Sequence, residues 1–459
     1  MSGSFSGLFI SSSALRSFQR GIETAGHNLA NVNTPGYSRQ RVDFATLPPQ
    51  TFYQRGMMSV GRGVTLGSIA RARDMFLDGS RRNVESDLNR ATTLSQQMTR
   101  IEGVYNEPGD LGISSALGKF FDSWGALGSR PDDPAARVQV RQTGQALSDR
   151  IRTAYGDLST INTETATEID RVFNRIDQLA AQINTLNKEI KSAQAGLGTP
   201  NDLMDQRDLA VQELSGLIDV RVSQFQDGTY SVYSAGHLLV DGAGTRPIPR
   251  TYDAATGNLT AGTTSYPVRG GQLGGLLQSL GSIQTRQTEL NAIANTLRQS
   301  INNLHLGGIG KNGSTGQNFF DATNGNSGAI DFRLSDAILA SADAIAAGTT
   351  GKESDGGLAH QMAALRDASQ GNLGNRSFTS YYENALNTMA SESAYYRQQA
   401  DVAGDIKAQV ENQQLAVSGV SIDEEMAEMV KFQRSYQAAA KALTIFDQMT
   451  EDIINMVRR

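Results

Sequence analysis

Two apolar seams at opposite ends of the chain constrain its fold more than anything between them. Near the N-terminus Leu8, Leu15, Phe18, Ile22, Ala25, Leu29 and Val32 fall on steps of three and four, with Ser11 in the gap. On an α-helix that spacing makes one narrow stripe of the coiled-coil kind. Near the C-terminus Ile422, Met429, Phe432, Tyr436, Ala439, Leu443, Phe446, Ile453 and Val457 repeat the pattern, with lapses at Glu425 and Thr450. A helix from Ile422 to Val457 would be about 50 Å long. Neither seam has a local partner. The simplest solution is that the two ends pair with each other, antiparallel, and then with copies from neighbouring subunits. In that register Val32 faces Ile422, Ala25 lies near Met429, Phe18 near Tyr436 and Leu8 near Phe446. Helix stability comes mostly from packing, so these ends are expected to be disordered in a free monomer and ordered in an assembly.

The ends of both helices are marked. The first runs into Asn31-Val32-Asn33-Thr34-Pro35-Gly36-Tyr37, where Thr34 is pushed out of helical space by the proline. Pro35-Gly36 suits the centre of a type II turn, with glycine at positive φ. An extended piece, Gln40-Val42-Phe44, follows. The last helix is announced by Gly419 and then by Ser421 with Glu424 three residues on, a capping box.

The interior reads as further long helices near 74–106, 112–128, 150–193, 271–305 and 378–414, with another starting at Asp133-Pro134. From Val220 to Val268 the pattern turns β-like, with turns at Asp227-Gly228 and Asp241-Gly242. Lys311 to Asn326 is a Gly/Asn/Ser-rich surface loop. The expected fold is therefore mainly α and elongated, with a long helical bundle or coiled-coil core made from both termini. Residues 1–35 and 420–459 would form the terminal coiled-coil domain, 36–215 and 270–419 a helical core domain, and 216–269 a small inserted β-rich domain.

Composition suits narrow apolar stripes more than a deep core: 39% hydrophobic, 7% aromatic and 19% charged. The net charge of -6 gives no case for nucleic acid. A local basic cluster, Arg55, Arg62, Arg71, Arg73, Arg81 and Arg82, is mixed with acids and reads as a solvated or subunit-facing surface. The chain has no cysteine, which excludes disulfides, thiolate metal sites and a cysteine nucleophile. The start lacks the pattern of a cleaved signal peptide, and no stretch approaches a membrane span. Those rules alone would place the chain in the cytoplasm.

No catalytic constellation emerges. The histidines His27, His237, His305 and His360 form no metal-ligand pair, and His305, at a helix end, would suit the dipole as a cation. Gly307 to Asn312 lacks the hydroxyl residue that a phosphate loop needs after Lys311. Asp205, Arg207 and Asp208 lie ahead of an apolar helix and read as an ion-paired joint between the long helix and the β segment. No cofactor and no metal is expected, and the chain reads as no enzyme.

The stretch Asn28-Leu29-Ala30-Asn31-Val32-Asn33-Thr34-Pro35-Gly36-Tyr37 resembles the N-terminal motif of flagellar rod, hook and hook-associated proteins. The stretch Ser418-Gly419-Val420-Ser421-Ile422-Asp423-Glu424-Glu425, followed by Phe432-Gln433 and Tyr436, resembles their C-terminal motif. Asp133 to Arg137, Asn201 to Asp208, and Asn303 to His305 with Gly316 and Phe319-Phe320 resemble stretches of the hook-associated protein 1 branch. The resemblance is weakest over 225–268 and 321–375, and the chain looks shorter than some relatives. It implies a structural adaptor that assembles as a ring or short helical turn, with hook protein on one side and a second junction protein or filament on the other. It implies unfolded export through the flagellar type III channel without a cleaved signal, an extracellular place, and a cytoplasmic export chaperone at the C-terminal helices. The self-assembly seam is then Leu8, Leu15, Phe18, Ile22, Leu29, Val32, Ile422, Met429, Phe432, Tyr436, Leu443, Phe446 and Ile453. The hinge is Asn28, Asn31, Thr34, Pro35, Gly36, Tyr37, Gly419 and Ser421. A hook or distal-rod protein is the alternative within the class, and a flagellum-associated cell-wall hydrolase the alternative outside it.

Overall fold

The computed structural model describes residues 2–53, 57–107, 109, 112–196, 199–322 and 328–457, with the side chains of 2–5, 52–53, 57–58 and 457 excepted. Arg55, residues 323–326 of the expected loop and the Val457 side chain thus lie outside the described residues. The chain is 65% helical with a few small sheets, so the mainly α reading stands. It divides into two compact units, one of residues 1–86, 175–248 and 404–459, the other of 87–174 and 249–403.

The first unit opens with α1 (Ser2–Ala30). The extended piece expected at Gln40 to Phe44 is only the first limb of a longer ribbon: β1 (Gln40–Thr46) pairs antiparallel with β4 (Val64–Arg71), and β2 (Gln50–Tyr53) with β3 (Met57–Val60). Pro48, Pro49, Gly61 and Gly63 break the alternation that would have marked it. α2 (Met75–Tyr105) begins here and continues into the second unit. In that second unit lie α3 (Ile113–Ser129) and most of α4 (Pro134–Ala195), a single helix where two were expected.

α4 re-enters the first unit and packs there with α5 (Asn201–Leu217); Ile176, Leu179, Ile183, Val211 and Leu214 are buried. The β-like segment makes two three-stranded sheets. One, β5 (Arg221–Gln224), β6 (Tyr230–Ser234) and β7 (His237–Val240), belongs to the first unit. The other, β8 (Thr251–Asp253), β9 (Asn258–Ala261) and β10 (Thr264–Pro267), belongs to the second. The second unit continues with α6 (Gly271–His305), β11 (Ile309–Gly310), α7 (Asp336–Ala340), β12 (Ala346–Gly348), α8 (Gly357–Ala364) and most of α9 (Phe378–Ser418). α10 (Ile422–Val457) returns to the first unit.

The core of the second unit is aromatic. Trp124, Phe120, Phe319 and Phe320 are fully buried and stack edge to face or tilted, with ring centroids 4.9 to 6.2 Å apart. His305 sits against Trp124 and Phe319. It is no cation at a helix end. It is 1% exposed, and burial pushes its pKa below the ordinary 6.5, partly offset by the Gln317 carbonyl. Nδ1–H donates to Gln317 O at 2.7 Å, and Nε2 accepts from the Ala346 amide at 2.9 Å. The ring therefore ties α6, the following loop and β12 together only while neutral.

Protonation would set one N–H against another, so the unfolded state takes the proton first. The stabilisation is complete above pH 6.5 and is lost as the pH falls toward the lowered value. Trp124 is the one tryptophan and lies beside the ring, so its fluorescence in thermal melts should show this unit melting lower at pH 5 than at pH 7. His305→Gln should remove much of that difference; an unchanged pH response in the variant would refute the assignment.

Candidate assembly joint

α1 and α10 run antiparallel along each other. Phe446 and Phe432 of α10 lie over Gly7 and Gly21 of α1: a Cβ at Gly7 would come within 2.5 Å of the Phe446 ring, and one at Gly21 within 2.9 Å of the Phe432 ring. Ala14 and the buried Ala439 fall midway in the same register, and Asn28 meets Glu425 one heptad further. Large side chains on one helix thus sit over the smallest on the other. The sequence pattern pointed to the larger α1 residues as the contact. Leu8, Leu15, Phe18, Ile22, Leu29 and Val32 are only half-buried, while Gly7, Ser11, Ser17, Gly21, Ala25 and Asn28 are buried. On α10, Met429, Phe432, Leu443, Phe446 and Ile453 are half-buried, while Ile422 and Tyr436 are exposed.

The ribbon covers one flank of this pair. Ser13 Oγ donates to Val64 O, and Arg62 stands over the Phe9 ring at 5.1 Å. Phe44 stands edge-on to both Phe18 and Phe432, at 6.1 and 5.8 Å.

Where the pair meets the rest of the unit, Asn28 uses its whole side-chain amide. Oδ1 accepts from Gln40 N at 2.9 Å and from the Tyr37 hydroxyl at 2.7 Å. Nδ2 donates to Gln40 O at 2.8 Å and to Glu425 Oε2 at 2.9 Å. The lapse at Glu425 is thus a buried polar layer: its other oxygen accepts from Arg39 Nε at 2.7 Å. Thr34 to Tyr37 form the expected turn, with the Tyr37 amide donating to Thr34 O at 3.2 Å and Gly36 at φ 77°. Tyr37 is half-buried against His27, and burial followed by the carboxylates of Asp202, Asp205 and Glu425 pushes its pKa well up. Asn31 receives the Thr34 hydroxyl at 3.1 Å. The capping box forms by half. Ser421 Oγ accepts from Glu424 N at 3.5 Å, but the Glu424 carboxylate turns to Arg39 at 3.0 Å. At Gly419 a Cβ would meet Leu415 O at 2.4 Å, so only glycine fits where α9 ends.

Asp202, Asp205 and Asp208 lie one turn apart inside α5, not ahead of it, and face this joint. Asp202 accepts from Gln40 Nε2 at 3.0 Å and pairs with His27 Nε2 at 3.3 Å. Asp205 accepts from Ser38 N at 3.0 Å and Ser38 Oγ at 2.7 Å, and from Arg71 at 2.8 Å. Asp208 pairs with Arg71 and Arg73. Burial alone would raise the Asp208 carboxyl, but the two guanidinium groups outweigh it and hold it below the usual range. Arg71 and Arg73, expected on a solvated or subunit-facing surface, instead face carboxylates of the same unit, with side chains only 13% and 17% exposed. Arg207 points the other way. Its fully buried guanidinium donates to Asn187 on α4 and to Gly228 O, and stands 3.4 Å over the Tyr230 ring. One turn of α5 therefore clamps the motif after α1 on one side and the long helix with the first sheet on the other. Sequence reasoning foresaw a joint between the long helix and the β segment but expected ion pairs in it; Arg207 holds it through neutral partners, and the aspartates serve the first clamp, which was missed and whose partners lie more than 130 residues away.

Asp205→Ala would leave Arg71 short of a buried partner and Ser38 N unpaired, a loss of about 3 kcal/mol by the usual cost of breaking a buried pair. Limited proteolysis of the variant should open at residues 31–40 while the aromatic unit keeps its Trp124 fluorescence. Undiminished protection of that stretch would count against the clamp.

Comparisons with known proteins agree with this arrangement. A family profile described as the flagellar hook-associated protein FlgK helical domain matches residues 98–320. The flagella basal body rod protein profile matches 8–37, and the flagellar basal body rod FlgEFG protein C-terminal profile 411–456. Flagellar hook-associated protein 1 of Bacillus subtilis is 29% identical, with 99% of both chains covered. That of Escherichia coli is 26% identical, over 97% of this chain and 98% of its own. The latter alignment spans 544 positions against 459 residues here, so that relative carries segments this chain lacks. The solved flagellar hook junction protein FlgK from Burkholderia pseudomallei shares the fold, with a TM-score of 0.64 at 16% identity over 74% of this chain and all of that one. With the terminal motifs clasped together and these matches running in order along the chain, it is similar along its length to the flagellar hook-associated protein 1 proteins and at its two ends to the rod proteins.

Proposed function

We propose that the chain is the structural joint between hook and filament, required for filament assembly and without enzymatic activity. The observation that carries this reading is the terminal pair. Residues at the two ends of the chain build one antiparallel helical rod, clasped at a single polar joint and still exposing Ile422, Met426 and Val430. A rod with apolar surface to spare is an element built for assembly. In this reading residues 1–35 and 420–459 form the inner tube, and the half-buried residues from Leu8 to Val32 and from Met429 to Ile453 complete their burial against other copies. The hinge from Asn28 to Tyr37, with Gly419 and Ser421, holds that tube to the body. Copies associate in a ring or short helical turn. Hook protein lies on one side and a second junction protein or filament on the other, and a cytoplasmic chaperone takes the C-terminal helices before type III export. The working place is the extracellular flagellum; among the described residues no helix is long and apolar enough to cross a membrane.

A cell lacking the protein should carry hooks without filaments and shed flagellin into the medium. Phe18→Asp or Leu443→Asp should reproduce that phenotype, since a charge buried at the tube interface costs several kcal/mol by typical estimates, while Trp124 fluorescence stays native. Normal motility of both variants would refute the seam. Loss of cell-wall cleavage in the deletion strain, with filaments intact, would favour a hydrolase instead.

A further inference from the structure

The paired terminal helices join the rest of the first unit through two stretches of chain. One runs from the end of α1 at Ala30 to β1 at Gln40, the other from the end of α9 at Ser418 to α10 at Ile422. Packing does little to fix the angle at which the pair leaves. A crevice of about 720 Å³ lies along both stretches, lined by Val32, Pro35, Leu209, Leu415 and Val420. The ribbon leans on the pair, but it is two-stranded and bulges between Asp43 and Phe44, so it can bend with the helices. The angle is left to hydrogen bonds. Asn28 supplies one anchor, through Gln40 and Glu425. A single anchor is a pivot.

Arg39 supplies a second. Its amide donates to Ser418 O at 3.0 Å and its carbonyl accepts from Ala72 N at 2.8 Å, so its backbone ties the two stretches to each other and to the base of the ribbon. Its guanidinium then takes α10 by two consecutive residues: Nε donates to Glu425 at 2.7 Å and Nη1 to Glu424 at 3.0 Å. Consecutive residues on a helix are turned by about 100°, so the two carboxylates hold α10 across about a quarter of its girth. Such a grip resists both rolling and tilting of the helix. The arm to Glu424 adds little stability, because that side chain is 63% exposed and Arg39 is 28% exposed. What it adds is direction.

We propose that Arg39 is a positioning residue: by gripping Glu424 and Glu425 together it fixes the angle of the terminal helices on the first unit, and without the double grip the joint pivots about Asn28. This rests on the junction role argued above and deepens it, since a joint passes load evenly only when every copy holds the same angle.

Two opposite changes break the double grip while Glu425 keeps a cation beside it. Arg39→Lys leaves one nitrogen, a point charge that cannot span both carboxylates. Glu424→Ala removes the exposed arm and leaves Arg39 on Glu425. Each variant and the native chain would be returned to a strain lacking the protein, and filaments counted before and after graded shearing. Both variants should form filaments and shed them at a shear that native cells withstand. The purified variants should melt within about 3 °C of the native chain, as the loss of one exposed ion pair allows. Native retention of filaments in both variants would overturn the proposal. Shedding by only one of them would point to that side chain alone and overturn the shared grip. Absence of filaments in either variant, where the native chain restores them, would make the contact one that assembly needs outright and overturn the positioning role. A native chain that restores no filaments would bring down the function proposed above and this inference with it, and that control separates the two failures.

Discussion

One buried amide holds the joint. Asn28 has two lone pairs and two N–H groups available on its side chain, and all four are used, on Gln40, Tyr37 and Glu425. Two of these bonds go to the backbone of Gln40, so the side chain stands in for a strand and starts the ribbon where the helix has ended. The third reaches the turn and the fourth the returning helix. A wrong register of α10 against α1 would bury Glu425 without its partners, which costs more than the bonds themselves contribute. The Gly–Phe layers supply contact area, and the polar layer makes one alignment the only satisfied one.

From that node the constraint spreads through charges. Arg39 takes both Glu424 and Glu425 while its carbonyl accepts from Ala72 and its amide donates to Ser418 O. α5 then receives the segment through Asp202, Asp205 and Asp208. Buried ion pairs contribute little net stability against well-packed apolar groups, but removal of one member is severe. Such a network suits a joint that must hold one geometry under load. It also explains why one turn of α5 is so dense in charge: Arg207 and the aspartates serve opposite faces.

The helices were legible because their periods are long and regular, and the antiparallel register was legible from the two stripes to within a residue. What the stripes could not reveal is which α1 residues touch α10. Glycine and serine carry no hydrophobic signal, yet Gly7 and Gly21 form the holes, and the larger Leu8, Leu15 and Ile22 turn aside. Glu425 looked like a lapse and is the polar layer. The ribbon was missed because its prolines and glycines interrupt alternation, and Arg71 and Arg73 were misplaced because charge composition says nothing about carboxylates brought from 130 residues away. His305 was misjudged for a related reason: a helix end need not be wet.

The bond between Asn28 and Glu425 spans 397 residues. No fragment that stops short of α10 can make it, however well its own part folds. In such a fragment the amide keeps its bonds to Gln40 and Tyr37 but loses its last acceptor, and Arg39 loses both carboxylates. The clasp therefore works as a test of completeness. It closes only when the last helix is present, and a prematurely ended chain is left with a loose first helix for proteases to find.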